Sequence, residues 1–281
     1  MLNKELLYKT IEKFEISLDD EAFSRLDTFA EMLIETNKSF NLTAIKEPDD
    51  VTVKHFADCL SIFKYVDIPK GAKIIDVGTG AGFPGLVLKL ARPDINMTFL
   101  DSTKKRLGFI ENVLNECGVQ GEIVHMRAEE AAQLSKYREK FDFATARAVA
   151  ALPVLSEYCL PFVKLGGSFV SMKSADSNEE LNEAKKAIGI LGGKIEEDIL
   201  FDLVDDMPRR IVKLKKNYDL AIILVSHDLE YVAKYADNVI LLDKTVVKSG
   251  KPKEVFESKE FKDIFGNVRY DIETMKENSS C

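Results

Sequence analysis

No run of apolar residues in this chain is long enough to cross a membrane. The most apolar stretch, "LAIILV" at 220–225, falls far short of the roughly 20 residues a spanning helix needs. The first residues, "MLNKELLYKTIEKFEISLDDEAF", mix acids and bases at helical spacing and hold no continuous apolar signal core. The expected location is the cytoplasm. An excess of basic charge is missing too. Asp and Glu number 47 against 39 Lys and Arg, a net charge of −8. That balance argues against indiscriminate binding of polyanions, while leaving room for one structured RNA held by a local basic patch. The four cysteines, Cys59, Cys117, Cys159 and Cys281, form no CxxC pair. Neither a zinc site nor a disulfide framework is therefore suggested, and no metal site is expected. No GxxxxGK[ST] loop occurs, which excludes a complete P-loop nucleotidase.

What is present fits one large domain, or a medium domain with a small one. The chain has 281 residues, 46% of them hydrophobic. Periodicity predicts helices over 3–14, 19–38 and 49–66, the second started by a capping-box-like Ser17 and Asp20. From 71 onward, short apolar runs alternate with helical stretches. Strands are expected at 73–77, 96–100, 121–125, 141–145 and 167–172. Helices are expected near 84–91, 103–117, 128–136, 151–163 and 177–190, with Gly118 as a helix stop. Such alternation predicts an α/β fold with a doubly wound, mostly parallel sheet. Two further strands, 194–203 and 209–215, have too short a link for a parallel crossover, so they form an antiparallel hairpin. A parallel sheet ending in such a hairpin is the AdoMet-dependent methyltransferase (Rossmann-like) type.

"IIDVGTGAGFPGL" at 74–86 is a strand, a glycine turn and a helix start. A dinucleotide fingerprint beginning at the strand end would need glycine where Phe83 stands. The shifted register "GAGFPG" begins too far from the strand and encloses Pro84. A turn kept bare by Gly78, Gly80 and Gly82 instead suits the methionine and ribose parts of AdoMet, where no pyrophosphate needs cradling. Asp101 ends the next strand, where a carboxylate can accept both ribose hydroxyls. Ala128 and Glu129, in "RAEE", fall beside the adenine position, and Arg147, in "TARAVA", ends the fourth strand.

These residues resemble the RsmG family, also called glucose-inhibited division protein B. The resemblance covers about 1–216 and rests on "NLTAI", "HFADCL", "DVGTGAGFPGL", "LDSTKKRLGFI", "RAEE", "FDFATARAVA", "LPFVKLGG" and "RRIVKLKK". Cys59 stands where serine is expected. The resemblance implies methylation of N7 of a guanine in 16S ribosomal RNA, within the small subunit or its assembly intermediates. S-adenosyl-L-methionine is the implied cofactor, with contacts at Gly78, Phe83, Ala128, Glu129 and Arg147 besides Asp101. Lys173, in "SMK", matches a family lysine near the site. No residue is expected to act as an acid or base, because N7 already carries an in-plane lone pair. Catalysis then comes from proximity and orientation, with Arg147 and Lys173 as contributors. Lys104, Lys105, Arg106, Arg209 and Arg210 are candidates for phosphate contacts.

The expected organisation is an N-terminal helical cap over 1–66, a methyltransferase domain over 67–216 and a C-terminal α/β appendage over 217–281. The appendage resembles the end of an ABC-transporter ATPase subunit, with His227 in "LVSHD" like that family's switch histidine. Without a P-loop it is expected neither to bind nor to hydrolyse ATP. It also puts an acidic segment where the family has a basic tail. Two functions stay open on the residues: an active enzyme, or an impaired fusion that binds AdoMet or ribosomal particles with little turnover.

Overall fold

A computed structural model describes residues 1–218, 225–226, 228–236 and 238–266. It divides into two units, Met1–Leu220 and Ala221–Cys281. The first begins with α1 (Lys4–Glu12) and α2 (Asp20–Asn37). A broken helical stretch follows: α3 (Pro48–Val51), a π-helical turn (Thr52–Ala57), α4 (Asp58–Leu60) and α5 (Ile62–Tyr65). Strands and helices then alternate as β1 (Lys73–Val77), α6 (Gly85–Ala91), β2 (Asn96–Asp101), α7 (Lys104–Glu116), β3 (Glu122–His125) and α8 (Ala128–Ala131). The series continues with β4 (Phe141–Arg147), α9 (Leu152–Cys159), β5 (Val163–Ser174), α10 (Asn178–Ile190), β6 (Gly193–Asp202) and β7 (Pro208–Lys216). The sheet order is β3-β2-β1-β4-β5-β7-β6. Its first five strands run parallel, and β7 lies antiparallel between β5 and β6. This is the doubly wound sheet with an antiparallel end that the sequence predicts.

Both faces of the sheet are covered, as near-continuous apolar strands require. Successive strand residues point to opposite faces. Ile74 and Phe99 pack with Leu26, Phe29 and Phe56 of the N-terminal helices and with Leu86 of α6. Ile75 and Leu100 pack on the other side with Leu155 and Leu181 of α9 and α10.

Four local differences from the sequence reading have physical causes. Asp19, not Ser17, caps α2, accepting the Ala22 N–H at 2.6 Å, because the helix starts two residues later than the box pattern places it. The helix expected over 49–66 is interrupted by the π-helical turn, in which Asp58 N–H bonds the Val53 carbonyl. The helix expected over 128–136 stops at Ala131: the Gln133 and Leu134 N–H groups bond three residues back, and Glu139 turns to φ 57° to reach the Pro161 carbonyl. The helix expected over 151–163 ends at Cys159 and tightens into a 3-10 turn (Leu160–Phe162) at Pro161, which has no N–H to continue it. Gly118 does stop α7, at φ +63°, with Gly118 N–H on Asn115 O and Val119 N–H on Leu114 O, a Schellman pair.

The second unit holds α11 (Leu229–Tyr235), the antiparallel pair β8 (Val239–Asp243) and β9 (Thr245–Gly250), α12 (Pro252–Phe256) and α13 (Lys259–Phe265). Its core is Ala233, Leu241, Val255, Phe256 and Phe261. The sequence pattern of this segment predicts a strand over 220–225, a helix over 228–236 and a strand over 238–243; the helix and the second strand are both here. The first strand lies, but for Val225, outside the described residues, as does His227. Among the described residues no helix is long and apolar enough to cross a membrane.

Candidate active site

The chain winds outward in opposite directions from β1 and β4, and a crevice opens at such a switch point, beyond the C-terminal strand ends. A cavity of about 430 Å³ sits there, lined from β1, β2, β4, the turn after β3 and the N-terminal helical segment.

Its floor is the glycine turn. Gly78 and Thr79 N–H groups donate to Leu100 O at 2.8 and 3.1 Å, which folds the turn back over β2. Gly78 has φ +67°, and a Cβ there would lie 2.8 Å from Val149 Cγ2, so both conformation and space require glycine. Behind the floor, Asp76 is fully buried and accepts from Thr145 Oγ1 at 2.8 Å and Gly85 N–H at 3.0 Å. It ties β1 to β4 and to the start of α6. Burial pushes its carboxyl up, opposed by those hydrogen bonds.

One end of the cavity presents acceptors. Asp101, 4% exposed, takes Gly80 N–H at 2.9 Å and Thr103 N–H at 2.7 Å. A carboxylate has about four acceptor positions, so it retains capacity for two hydroxyls. Arg106 lies 3.8 Å from the same carboxylate. Ala128 and Glu129, opening α8, also line this end. The Glu129 carboxylate beside Tyr158 pushes that hydroxyl's pKa up and accepts its hydrogen bond.

The other end presents donors. Arg147 leaves β4 just before Ala148, which is held at φ 56°. Its Nη1 donates to Lys54 O at 3.1 Å and Asp58 Oδ2 at 3.0 Å, and its Nη2 to His55 Nδ1 at 2.9 Å. The π-helical turn and the first residue after it thus bring three acceptors to one guanidinium, a use such turns often have at functional sites. The Phe83 ring lies 4.9 Å under that guanidinium and 4.4 Å from the stacked His55 ring. Asp58 Oδ1 also takes Arg209 Nε at 3.2 Å. Burial pushes the Asp58 carboxyl up, and the two guanidiniums, one on each oxygen, oppose it. Burial, then the Arg147 charge, lowers the His55 pKa to about 3.

Gly78, Phe83, Asp101, Ala128, Glu129 and Arg147 all line this cavity. Lys173 does not. Its ammonium is engaged by Ala150 O at 2.7 Å and Glu180 Oε1 at 2.5 Å, which ties β5 to α10. Of the candidate phosphate contacts, Arg210 is buried against Ser177, Asn178 and Asp198 and is corrected to a structural role. Arg209 is committed to Asp58, Arg106 lines the cavity, and Lys104 and Lys105 are exposed. Cys59 is fully buried, and burial pushes its thiol up. The sequence offers His55 and Asp58 as residues that could line the site: His55 does, while Asp58 lies behind it as the bridge between Arg147 and Arg209. Thr43, on the cavity lining, was not singled out, its one signal being its place in "NLTAI".

Residues 22–207 match the family GidB, rRNA small subunit methyltransferase G. A ribosomal RNA small subunit methyltransferase G from Alkaliphilus oremlandii is 46% identical over 76% of this chain and 90% of its own length. One of the same name from Clostridium novyi is 44% identical over 75% of this chain and 88% of its own length. Among solved structures, a methyltransferase from Pyrococcus furiosus has a TM-score of 0.48 at 14% identity, over 69% of this chain and 99% of that one.

Proposed function

The chain belongs to the GidB family and is an AdoMet-dependent methyltransferase, and from that premise we propose that it methylates N7 of a guanine in small-subunit ribosomal RNA. The names of its relatives support the RNA. The observation that carries the chemistry is the division of the cavity into an acceptor end and a donor end, with no free base between them.

The acceptor end fits the nucleoside half of S-adenosyl-L-methionine. Asp101 would take the ribose hydroxyls with its remaining lone pairs. Glu129 and Ala128 would flank the base, and the bare face of the turn at Gly78 and Gly80 would admit the chain between them. Bound there, the cofactor supplies an electrophilic methyl group on sulfonium. Arg147 is the donor for its carboxylate, and Phe83 is the apolar surface beneath.

The protein's own part is to orient and to exclude water. Guanine N7 has a lone pair and loses no proton, so the site needs no general base. His55 has both ring nitrogens engaged, and its low pKa keeps it from acting as an acid. Holding N7 in line with the methyl group is the whole task. Tritium transfer from AdoMet to small-subunit particles lacking the modification, with mapping of the labelled base, tests this reading. Label on a ribose or on an exocyclic amine would overturn it. Residues 217–281 are proposed as a non-catalytic appendage without ATP binding, on the ground that the chain has no P-loop sequence.

A further inference from the structure

We propose that Thr43 reads the base, its hydroxyl donating a hydrogen bond to O6 of the target guanine. The proposal rests on the guanine reading above and extends it to specificity.

The argument is a count of hydrogens. Arg147 Nη2 lies 2.9 Å from His55 Nδ1, and a guanidinium can only donate. Nδ1 therefore accepts. The ring is neutral, because burial and the Arg147 charge hold its pKa near 3, so its single N–H is on Nε2. That N–H donates to Thr43 Oγ1 at 2.8 Å, and Ile45 N–H donates to the same oxygen at 3.1 Å. Both lone pairs of the hydroxyl are taken. What Thr43 has left is its O–H hydrogen, and among the described residues no acceptor meets it.

Thr43 is half-buried and lines the 430 Å³ cavity as well as a second one of about 160 Å³. Beside it, the His55 nitrogens are saturated, and Arg147 has only its Nε–H and one Nη2–H to spare. Every polar group this wall can offer is a donor. The corresponding edge of guanine carries two acceptors, N7 and O6, whereas adenine replaces O6 with an amine donor. N7 must stay open to the methyl group, so the wall's donor falls to O6. Adenine would set amine hydrogens against a hydroxyl hydrogen, with both left unpaired, and a site built to hydrogen-bond one group rejects its absence strongly. Arg147 is committed to the cofactor, which leaves Thr43 as the reader.

The test uses the full chain and RNA fragments carrying guanine, inosine or 2-aminopurine at the mapped position. Inosine keeps O6 and N7; 2-aminopurine keeps N7 and lacks O6. Wild type should use inosine within about threefold of guanine and 2-aminopurine roughly 10- to 100-fold less well, the effect of one lost hydrogen bond in a buried site. Thr43→Val should slow guanine to the 2-aminopurine rate, bringing the ratio near one at saturating AdoMet. Thr43→Ser should restore the ratio. A wild type indifferent to loss of O6, or a Thr43→Val enzyme that keeps the guanine preference, overturns the assignment. The first of these needs no variant and so does not depend on its folding. Transfer to none of the RNAs by wild type would remove the guanine reading itself, and this inference with it.

Discussion

At the acceptor end of the cavity, Asp101 is fixed by backbone: Gly80 N–H at 2.9 Å and Thr103 N–H at 2.7 Å, both from loops beside the strand ends. At the donor end, Arg147 is fixed by side chains and a carbonyl from a segment 89 to 93 residues away in sequence. Asp58 extends that network to Arg209 on β7, 151 residues further along. A backbone-held group can be changed alone. A side-chain network cannot, because each member satisfies the charge or hydrogen bonds of the next. The two ends should therefore respond differently to substitution, the donor end in folding and the acceptor end in cofactor affinity.

The largest effect is expected from Asp58→Ala. It strands Arg147 and Arg209, whose side chains are 14% and 24% exposed, and removing one partner of a buried ion pair costs about 3–5 kcal/mol. Urea unfolding should show that loss, with Asp58→Asn intermediate. Asp101→Ala is the matching change at the other end. It should weaken AdoMet binding by about 1–3 kcal/mol in calorimetry while costing less folding stability than Asp58→Ala. A larger stability loss at Asp101 than at Asp58 would break the comparison.

The pH dependence of folding sharpens it further. Burial and the Arg147 charge lower His55 to about 3 in the folded chain, against an ordinary value of 6.5. Its folded pKa is depressed, so between these values the unfolded chain binds the proton first. The stabilisation is complete above 6.5 and falls as pH drops toward 3. By pH 5 it should amount to a loss of about 2 kcal/mol relative to pH 8. Asp94, lowered to about 2 by its Arg92 hydrogen bond against an ordinary value of 3.8, acts only at lower pH, whereas burial pushes Asp58 and Asp76 up and gives them the opposite sign, so between pH 5 and 6.5 the histidine's share is the difference between wild type and a His55 variant. His55→Asn should flatten the slope there. An unchanged slope would mean that the ring is not held neutral by Arg147 and burial.

The same contrast explains what the sequence disclosed. The sheet, the glycine turn and Asp101 were readable because each depends on neighbours in sequence: strand periodicity, a turn that tolerates no Cβ at Gly78, and a carboxylate at a strand end. The donor end was readable only in part. Arg147 could be placed at the end of β4, but not joined to Asp58 or His55, because an ion pair between distant segments has no local pattern. The π-helical turn was invisible for a related reason: "TVKHFA" has the apolar spacing of an ordinary helix, and only the guanidinium across from it gives the widened turn a purpose. Lys173 and Arg210 show the converse error. Each is a cation in a suggestive place, and each is used up by partners on α10 or β6, Glu180 for one and Asn178 and Asp198 for the other.

The smallest effect is expected from removing residues 219–281. The first unit closes on itself through Tyr218: Asn217 and Tyr218 N–H groups bond Gly192 O at 2.9 and 3.3 Å, and the Tyr218 hydroxyl bonds Gly189 O at 2.9 Å. A cut after Tyr218 keeps all of these, together with β7 and both sides of the sheet. The residues that line the cavity all precede 159. Among the described residues the second unit draws its core from 233–261, five buried side chains, and leaves Ile240, Leu242 and Val246 more than half exposed. So small a core gives little stability of its own. Truncated and full-length chains should therefore share one main melting transition within about 2 °C and bind AdoMet with the same affinity within about twofold. Methyl transfer should match or rise, since the acidic segment no longer opposes an RNA polyanion, and the rise should shrink as salt screens the charge. A truncated chain that fails to fold, or that loses AdoMet binding, would show the second unit to be part of the methyltransferase and not an appendage to it.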